Sequence, residues 1–389
     1  MKYDFNKIND RRNTNAVKWD VKDNELPMWV ADMDIQTVPE VIDAMHKDVD
    51  RGIFGYQSVP NEYYRAVADW YKKEHNFEPK LDWLVFSTGV MPSVGSILRH
   101  LTDVGDNVLL QEPNYNSFYQ AITNNGHHVL NSELEYAHGK YTINWKDLEN
   151  KLADPQTTTM IVCNPHNPTG HIWDRGTLTK IGKLALKYQV LIISDEIHGD
   201  LTMPGYDYVP FASLDTAIAN NSISLVSPSK TFNLAVLHAA TMIIPNQNLR
   251  DKATRAVAID GSNEPGVLAI DASIAAYTEG HEWLHELRDY IAGNREYLED
   301  YVKENIPEIR VIKAQATYLA WLDCSQITVK SDEFNQFLRA ETGLYLAEGT
   351  KYKGNGNSFL RLNLATPRCN VEDGVERLKK GVEKYLAQK

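Results

Sequence analysis

Two kinds of apolar spacing alternate along this chain. The segments "VPEVIDAMHKDVDR" (38–51) and "NEYYRAVADWYKKEH" (61–75) place apolar residues three and four apart, the period of an amphipathic helix. In the second of these, Tyr64, Val67, Ala68 and Tyr71 share one predicted face. Further on, short unbroken apolar runs take over: "WLVFS", "NVLLQE", "TMIVCN", "VLIISDE", "SISLVS" and "ATMIIP", with helical stretches between them. Unbroken runs mark strands buried on both faces, and their alternation with helices predicts an α/β fold with a mostly parallel sheet between helical layers. That region spans about Arg51 to Pro265.

The pattern then changes. "LAIDASIAAYTEGHEWLHELRDYIAGNREYLEDYVKEN" reads as long helices with a break at Gly280. After it come "IRVIK", "TYLAWLD", a helix near "SDEFNQFLRAE", then "FLRLNLA" and a closing helix. This order predicts a smaller α+β domain. The expected organisation is an arm and part of the small domain at 1–50, a large domain at 51–275 and a small C-terminal domain at 276–389.

Composition narrows the function classes. The chain has 389 residues and a formal net charge of −12, with basic residues scattered, so a general grip on nucleic acid or an anionic membrane is not expected. No run approaches the roughly 20 apolar residues that span a bilayer, and the start "MKYDFNKINDRRNTN" lacks a secretory apolar region. Cys163, Cys324 and Cys369 lie far apart with no metal or redox spacing, so no metal is expected and the location expected is the cytoplasm.

In an open parallel sheet, ligands sit beyond the carboxyl ends of the strands. Five predicted strand ends deliver chemistry there: "TGVMPSVGS", "PNYNSF", "NPHNPTG", "DEIH" and "SPSK". Gly89 allows close backbone approach, and the amides of Val90 and Met91 at a helix start would seat a phosphate, as would the hydroxyls of Ser227 and Ser229. Asp195 reads as a helix cap or as the partner of a buried cationic ring nitrogen; Asn167 reads as a turn residue or as an amide for a phenolic oxygen. A lone Lys230 would be a solvated loop lysine. Phosphate donors, an acid, an amide, an aromatic and an amine together are what pyridoxal 5′-phosphate requires, the amine condensing with its aldehyde.

With these motifs the chain resembles the fold-type I pyridoxal-phosphate enzymes, the class I/II aminotransferase superfamily. "FGY", "TGVMPSV", "NPHNPTG", "SDEIH", "SPSKTFN" and "FLRLNLATPR" stand in the expected order from end to end. The resemblance implies a large domain with a seven-stranded sheet and a homodimer with composite sites. It assigns Lys230 to the aldehyde, Asp195 to the pyridine nitrogen, Asn167 to the ring hydroxyl and Tyr115 to stacking on the ring. Gly89, Val90, Met91, Ser227 and Ser229 would hold the phosphate, with Tyr56 reaching it from a neighbouring subunit. Arg361 would take the substrate α-carboxylate, with Ala31, Trp29 and Asn167 beside it.

"PMWVADMDI", "DEIH", "YTEGHEWL" and "GNGNSFLRLNLATPR" look more narrowly like the cystathionine β-lyase branch. "WVADMD" also reads as an arm fastened into the core by Trp29 and Met33. That branch implies α,β-elimination from cystathionine, cysteine or related S-conjugates to pyruvate, ammonia and a thiol, in methionine metabolism. An aminotransferase would use the same residues, and a regulatory protein could keep the fold. Three departures stand out. His198 replaces a tyrosine common in the superfamily and either contacts the cofactor or faces the core. Val236 occupies a position expected to be glycine. No arginine follows in "TFNLAVLHAATM" to serve the phosphate.

Overall fold

The computed structural model describes residues 2–388. Its main sheet has seven strands: β1 (Leu84–Ser87), β2 (Asn107–Leu110), β3 (His128–Asn131), β4 (Thr157–Cys163), β5 (Leu191–Asp195), β6 (Ser222–Val226) and β7 (Ala240–Ile243). They lie in the order β1-β7-β6-β5-β4-β2-β3. β7 runs antiparallel to both of its neighbours and every other pair is parallel. Six strands fall on the six apolar runs. The seventh, β3, is a half-exposed edge strand of sequence "HVLN", as long as β1, β2 and β7 but too polar to declare itself.

The middle of the sheet is closed on both faces. Ile161, Ile193, Ile223 and Leu225 have no exposure and pack with Val94, Ile97 and Leu98 of helix α3 (Val90–Leu101). Each such side chain contributes about 1.5–3 kcal/mol through burial. Helices α1 (Pro39–Arg51) and α2 (Asn61–His75) lie where the apolar period predicts them, and both pack against α4 (Val267–Glu279). On α2, Val67, Ala68 and Tyr71 are buried, with Tyr64 partly covered.

Helix α5 (His281–Asn305) follows α4 after the single residue Gly280. A Cβ there would run into the Ala276 carbonyl and the Phe232 ring, so the break needs a residue without a side chain. Beyond α5, an antiparallel sheet has the order β8-β9-β11-β10, from β8 (Arg310–Val311), β9 (Leu319–Asp323), β10 (Ala347–Glu348) and β11 (Phe359–Asn363). Helices α6 (Ser331–Thr342) and α7 (Arg368–Leu386) cover it through Phe334, Leu338, Val375 and Leu378. The arm joins this part: Leu26–Pro27 pairs in parallel with Leu344–Tyr345.

One feature of register positions the site. Cys163 lies opposite Asp195, and Asp195 opposite Leu225, so β4, β5 and β6 end level with one another. The residues after those ends, Asn164–Gly170, Glu196–His198 and Ser227–Lys230, therefore meet at one rim.

Candidate active site

At that rim lies a cavity of about 350 Å³ lined by Gly89, Val90, Met91, Tyr115, Asn167, Asp195, His198, Ser227, Ser229 and Lys230, with Ala31 closing one side. Lys230 sits on the one-turn helix Pro228–Thr231, which Ser227 caps by accepting from the Ser229 amide at 3.1 Å. Its Nζ donates to the Ala31 carbonyl at 2.6 Å. Burial lowers the Lys230 amine to about 8, helped by the Arg361 charge and opposed by Asp32 and Asp195. Asp195 is 4% exposed and accepts from the Ile197 amide at 3.1 Å. Burial lifts its carboxyl to about 7, despite that amide and Lys230.

Arg361 of β11 does not line the cavity itself and stands behind Asn167, beside the arm. Arg361 donates to Asn167 Oδ1 at 3.1 Å and to the Trp29 carbonyl at 3.0 Å, with Tyr352 beneath its guanidinium at 5.0 Å. Its Nε has no partner. Trp29 thus reaches the site by its carbonyl only; its indole stacks on Tyr345 at 5.0 Å. Met33 is 1% exposed in the core, so the arm is fastened and lines the site as well.

What fixes the arm is a set of residues that motif reading did not single out. Asn363 donates to the carbonyls of Val30 (2.6 Å) and Asp32 (2.5 Å). Asn233 donates to Met33 and Ile35 carbonyls and accepts from the Met33 amide, each at 3.0 Å. Asp34 is held by Lys18 at 2.6 Å, Arg11 at 2.9 Å and Trp19 at 2.7 Å. Tyr318 donates to the Ala31 carbonyl that also receives Lys230, at 3.0 Å. Asn363 had a signal: two residues after Arg361 on a strand, it shares that residue's face.

At the far end, Val90 and Met91 are the first residues of α3, where a helix offers its amides no acceptor. Ser227 Oγ donates to the Ala239 carbonyl at 2.7 Å and lies 2.9 Å from Ser229 Oγ. In place of an arginine, the run after Lys230 brings His238 to the wall. Val236 is 83% exposed, so its side chain meets no packing conflict. Tyr56 does not line the cavity of its own chain: it is fully exposed, near exposed Ile53 and Phe54. His198 faces the cavity and packs edge-on to Tyr318 with ring centroids 6.1 Å apart; its Nδ1 is unpartnered, and burial drives it down to about 3.

These features define a class of site: a buried amine of low basicity, a buried acid short of partners, and an anion seat at a helix start, all at the strand ends of an α/β sheet. The chain belongs to the class I and II aminotransferase family, whose model matches residues 26–378. It is 38% identical over 382 residues to cystathionine beta-lyase PatB of Bacillus subtilis, covering 96% of this chain and 98% of that protein. Protein MalY of Escherichia coli is 33% identical, with 97% and 98% covered. The crystal structure of cystalysin from Treponema denticola, which contains pyridoxal 5′-phosphate, superposes with a TM-score of 0.95 at 32% identity, covering 99% of this chain and all of that one.

The donor set of this chain fits that cofactor. Burial lifts the Asp195 carboxyl to about 7 even with Lys230 nearby, as expected of an acid whose charge would be satisfied only by a ring N–H placed against it. Asn167 offers an amide beside it, Tyr115 an aromatic face, and the start of α3 free amides.

Proposed function

We propose that this protein is a pyridoxal-phosphate-dependent carbon–sulfur β-lyase that releases a thiol, pyruvate and ammonia from cystathionine, cysteine or related S-conjugates. The observation that carries the reading is Lys230, an amine that burial lowers to about 8, sharing one cavity with Asp195 and with Asn167, which Arg361 holds from behind. Full-length likeness to proteins named cystathionine β-lyase favours elimination over transamination.

Bound pyridoxal phosphate supplies an electron sink for charge developing at the substrate Cα. The chain's own residues do the rest. Arg361 is already oriented by Asn167 and the Trp29 carbonyl, and its unpartnered Nε leaves it a donor for the α-carboxylate. Lys230 Nζ takes the Cα proton; its basicity near 8 suits a group that must both accept and return protons, work typically worth ~10²–10⁴-fold. Asp195 would balance positive charge on the ring nitrogen. The α3 amides, Ser227 and Ser229 would hold the phosphate, and Tyr115 would offer its face to the ring. His198, uncharged at neutral pH, meets the cofactor without adding a second cation beside Lys230.

Tyr56 completes the phosphate seat of a second subunit. Its full exposure, beside Ile53 and Phe54, fits an interface segment of a homodimer. Three unpaired cysteines fit a reducing cytoplasm. The arm and residues 276–389 form the smaller domain and 51–275 the cofactor domain.

The test is direct. Incubated with cystathionine and no 2-oxo acid, the cofactor-loaded protein forms pyruvate and free thiol at equal rates, and Lys230→Ala loses about 10²-fold or more of that rate. Strict dependence on an added 2-oxo acid assigns the protein to transamination instead.

A further inference from the structure

Away from the active site, the end of α2 lies beside the start of α5. Glu74, in the last turn of α2, is 2% exposed at its side chain, yet its partners come from the surface of α5. His281 Nδ1 meets Oε1, and His285 Nε2 meets Oε2 at 3.2 Å. The two imidazoles are one helical turn apart, with ring centroids 4.5 Å from each other. One ligand atom from each of the three residues lies within 4.8 Å of the other two.

Two imidazoles and a carboxylate converging on one point are a zinc-type donor set: three protein ligands, with a fourth position left for water. We propose that Glu74, His281 and His285 bind one divalent cation of the zinc class and so clip α2 to α5. Without metal, the ring N–H groups serve the buried carboxylate. With metal, His281 keeps its proton on Nε2 and His285 on Nδ1, and the freed lone pairs turn to the ion. Both rings are within reach of solvent, at 37% and 52% side-chain exposure, so an ion can enter.

The run His281-Glu-Trp-Leu-His285 has the H-E-x-x-H spacing of zinc peptidases, in which the glutamate acts on metal-bound water. Here Glu282 turns to solvent and pairs with Lys2 at 2.9 Å, while Trp283 is 1% exposed in the core. The site is therefore structural, without a general base. Arg288 opposes the ion, since its Nη1 lies 3.6 Å from Glu74 Oε2. Affinity is accordingly below that of closed four-ligand sites, and the fold does not depend on the metal. The clip braces a connected region: Arg288 Nε donates to the Asp200 carbonyl at 2.6 Å, and His75, next to Glu74, meets the Asp200 carboxylate at 2.6 Å.

The experiment titrates the cofactor-loaded protein with Zn²⁺ by calorimetry and with Co²⁺ by visible spectroscopy. Expected are one ion per chain, Co²⁺ bands of low-symmetry nitrogen–oxygen coordination, and a higher melting temperature with metal. His285→Ala and Glu74→Gln should each weaken binding by more than the roughly 10–100-fold that loss of a mere supporting partner gives. Glu74→Gln keeps an acceptor for the imidazoles, and neither variant should change lyase turnover without metal. No stoichiometric ion on the wild-type protein, or equal binding by both variants, overturns the proposal.

Discussion

Asp195 and Asp200 stand five residues apart, both buried, on the segment that leaves β5, and the fold treats them in opposite ways. Asp200 accepts from Trp70 Nε1 at 2.9 Å and Thr231 Oγ1 at 2.6 Å, and lies 2.6 Å from His75 Nε2. Burial works against its charge, but His75, Thr231 and Trp70 outweigh it and hold the carboxyl below its ordinary value. Asp195 has the Ile197 amide at 3.1 Å and an open cavity, and burial lifts it to about 7. Equal burial with unequal partners separates a structural acid from one waiting for a ligand. A buried charge short of partners is costly to the fold, and an active site is where such a cost is retained.

The strongest way to break that comparison is to exchange the consequences. Asp195→Asn should lower turnover by roughly 10²–10³-fold, the loss typical of one preorganised electrostatic partner, and leave the melting temperature unchanged or higher. Asp200→Asn should do the reverse: it leaves the buried partners Trp70, Thr231 and His75 short of an acceptor, which costs about 1–3 kcal/mol of stability, read by denaturant unfolding. If Asp200→Asn unfolds like wild type, the two acids do not differ as described.

A smaller effect belongs to the opposite wall. Arg361→Gln should raise KM for the amino-acid substrate by roughly 10–100-fold, since charge-assisted hydrogen bonds contribute about 1.5–3 kcal/mol. Pyridoxal phosphate binding should be little altered, because Arg361 stands with Asn167 and the arm, away from the start of α3. An unchanged KM would remove Arg361 from the substrate contact.

Asp195 also predicts a pH dependence for the cofactor-free protein. Its carboxyl titrates near 3.8 in an unfolded chain and about 7 in the folded one. Between those values the folded state holds more protons, so stability falls as pH rises through the window. The slope from this one group is at most about 1.4 kcal/mol per pH unit. Subtracting the profile of Asp195→Asn isolates it, and cofactor loading should flatten it. A difference profile level from pH 4 to 7 would show that the carboxylate is not desolvated.

Much of the contrast was legible in the chain because it rests on where strands end. An apolar run closing on "SDE" puts Asp195 at the carboxyl end of a central strand, and "SPSK" puts Lys230 just beyond the end of the next. Arg361 followed from the resemblance, but the arm's anchors did not: Asn233 and Asn363 act through carbonyls about 200 and 330 residues distant, as the partners of Met33 and Val30 show. Sequence patterns report local period and not tertiary pairing. Strand β3 was missed for a local reason, since its edge position asks little apolarity of it. Tyr56 is different again: it faces solvent, and the role proposed for it depends on a second chain.

The finest test of the comparison reads the amine between the two walls. Burial, with the Arg361 charge, lowers Lys230 from 10.5 to about 8, while Asp32 and Asp195 pull the other way. Between those values the folded state holds fewer protons than the unfolded chain, so this group's cost to stability is full below about 8 and fades toward 10.5. Only the free amine reacts with an acylating reagent. In cofactor-free protein, labelling of the Lys230 peptide should thus reach half its maximal rate near pH 8, well before exposed lysines do. Arg361→Gln should move that midpoint upward by removing a repelling charge, and Asp195→Asn downward by removing an attracting one. Because the two variants are expected to shift one midpoint in opposite directions, a common shift would show that mutation had simply opened the cavity. A midpoint that stays with the surface lysines in all three proteins would mean that the amine is solvated, and the contrast between a satisfied acid and a waiting site would lose its second member.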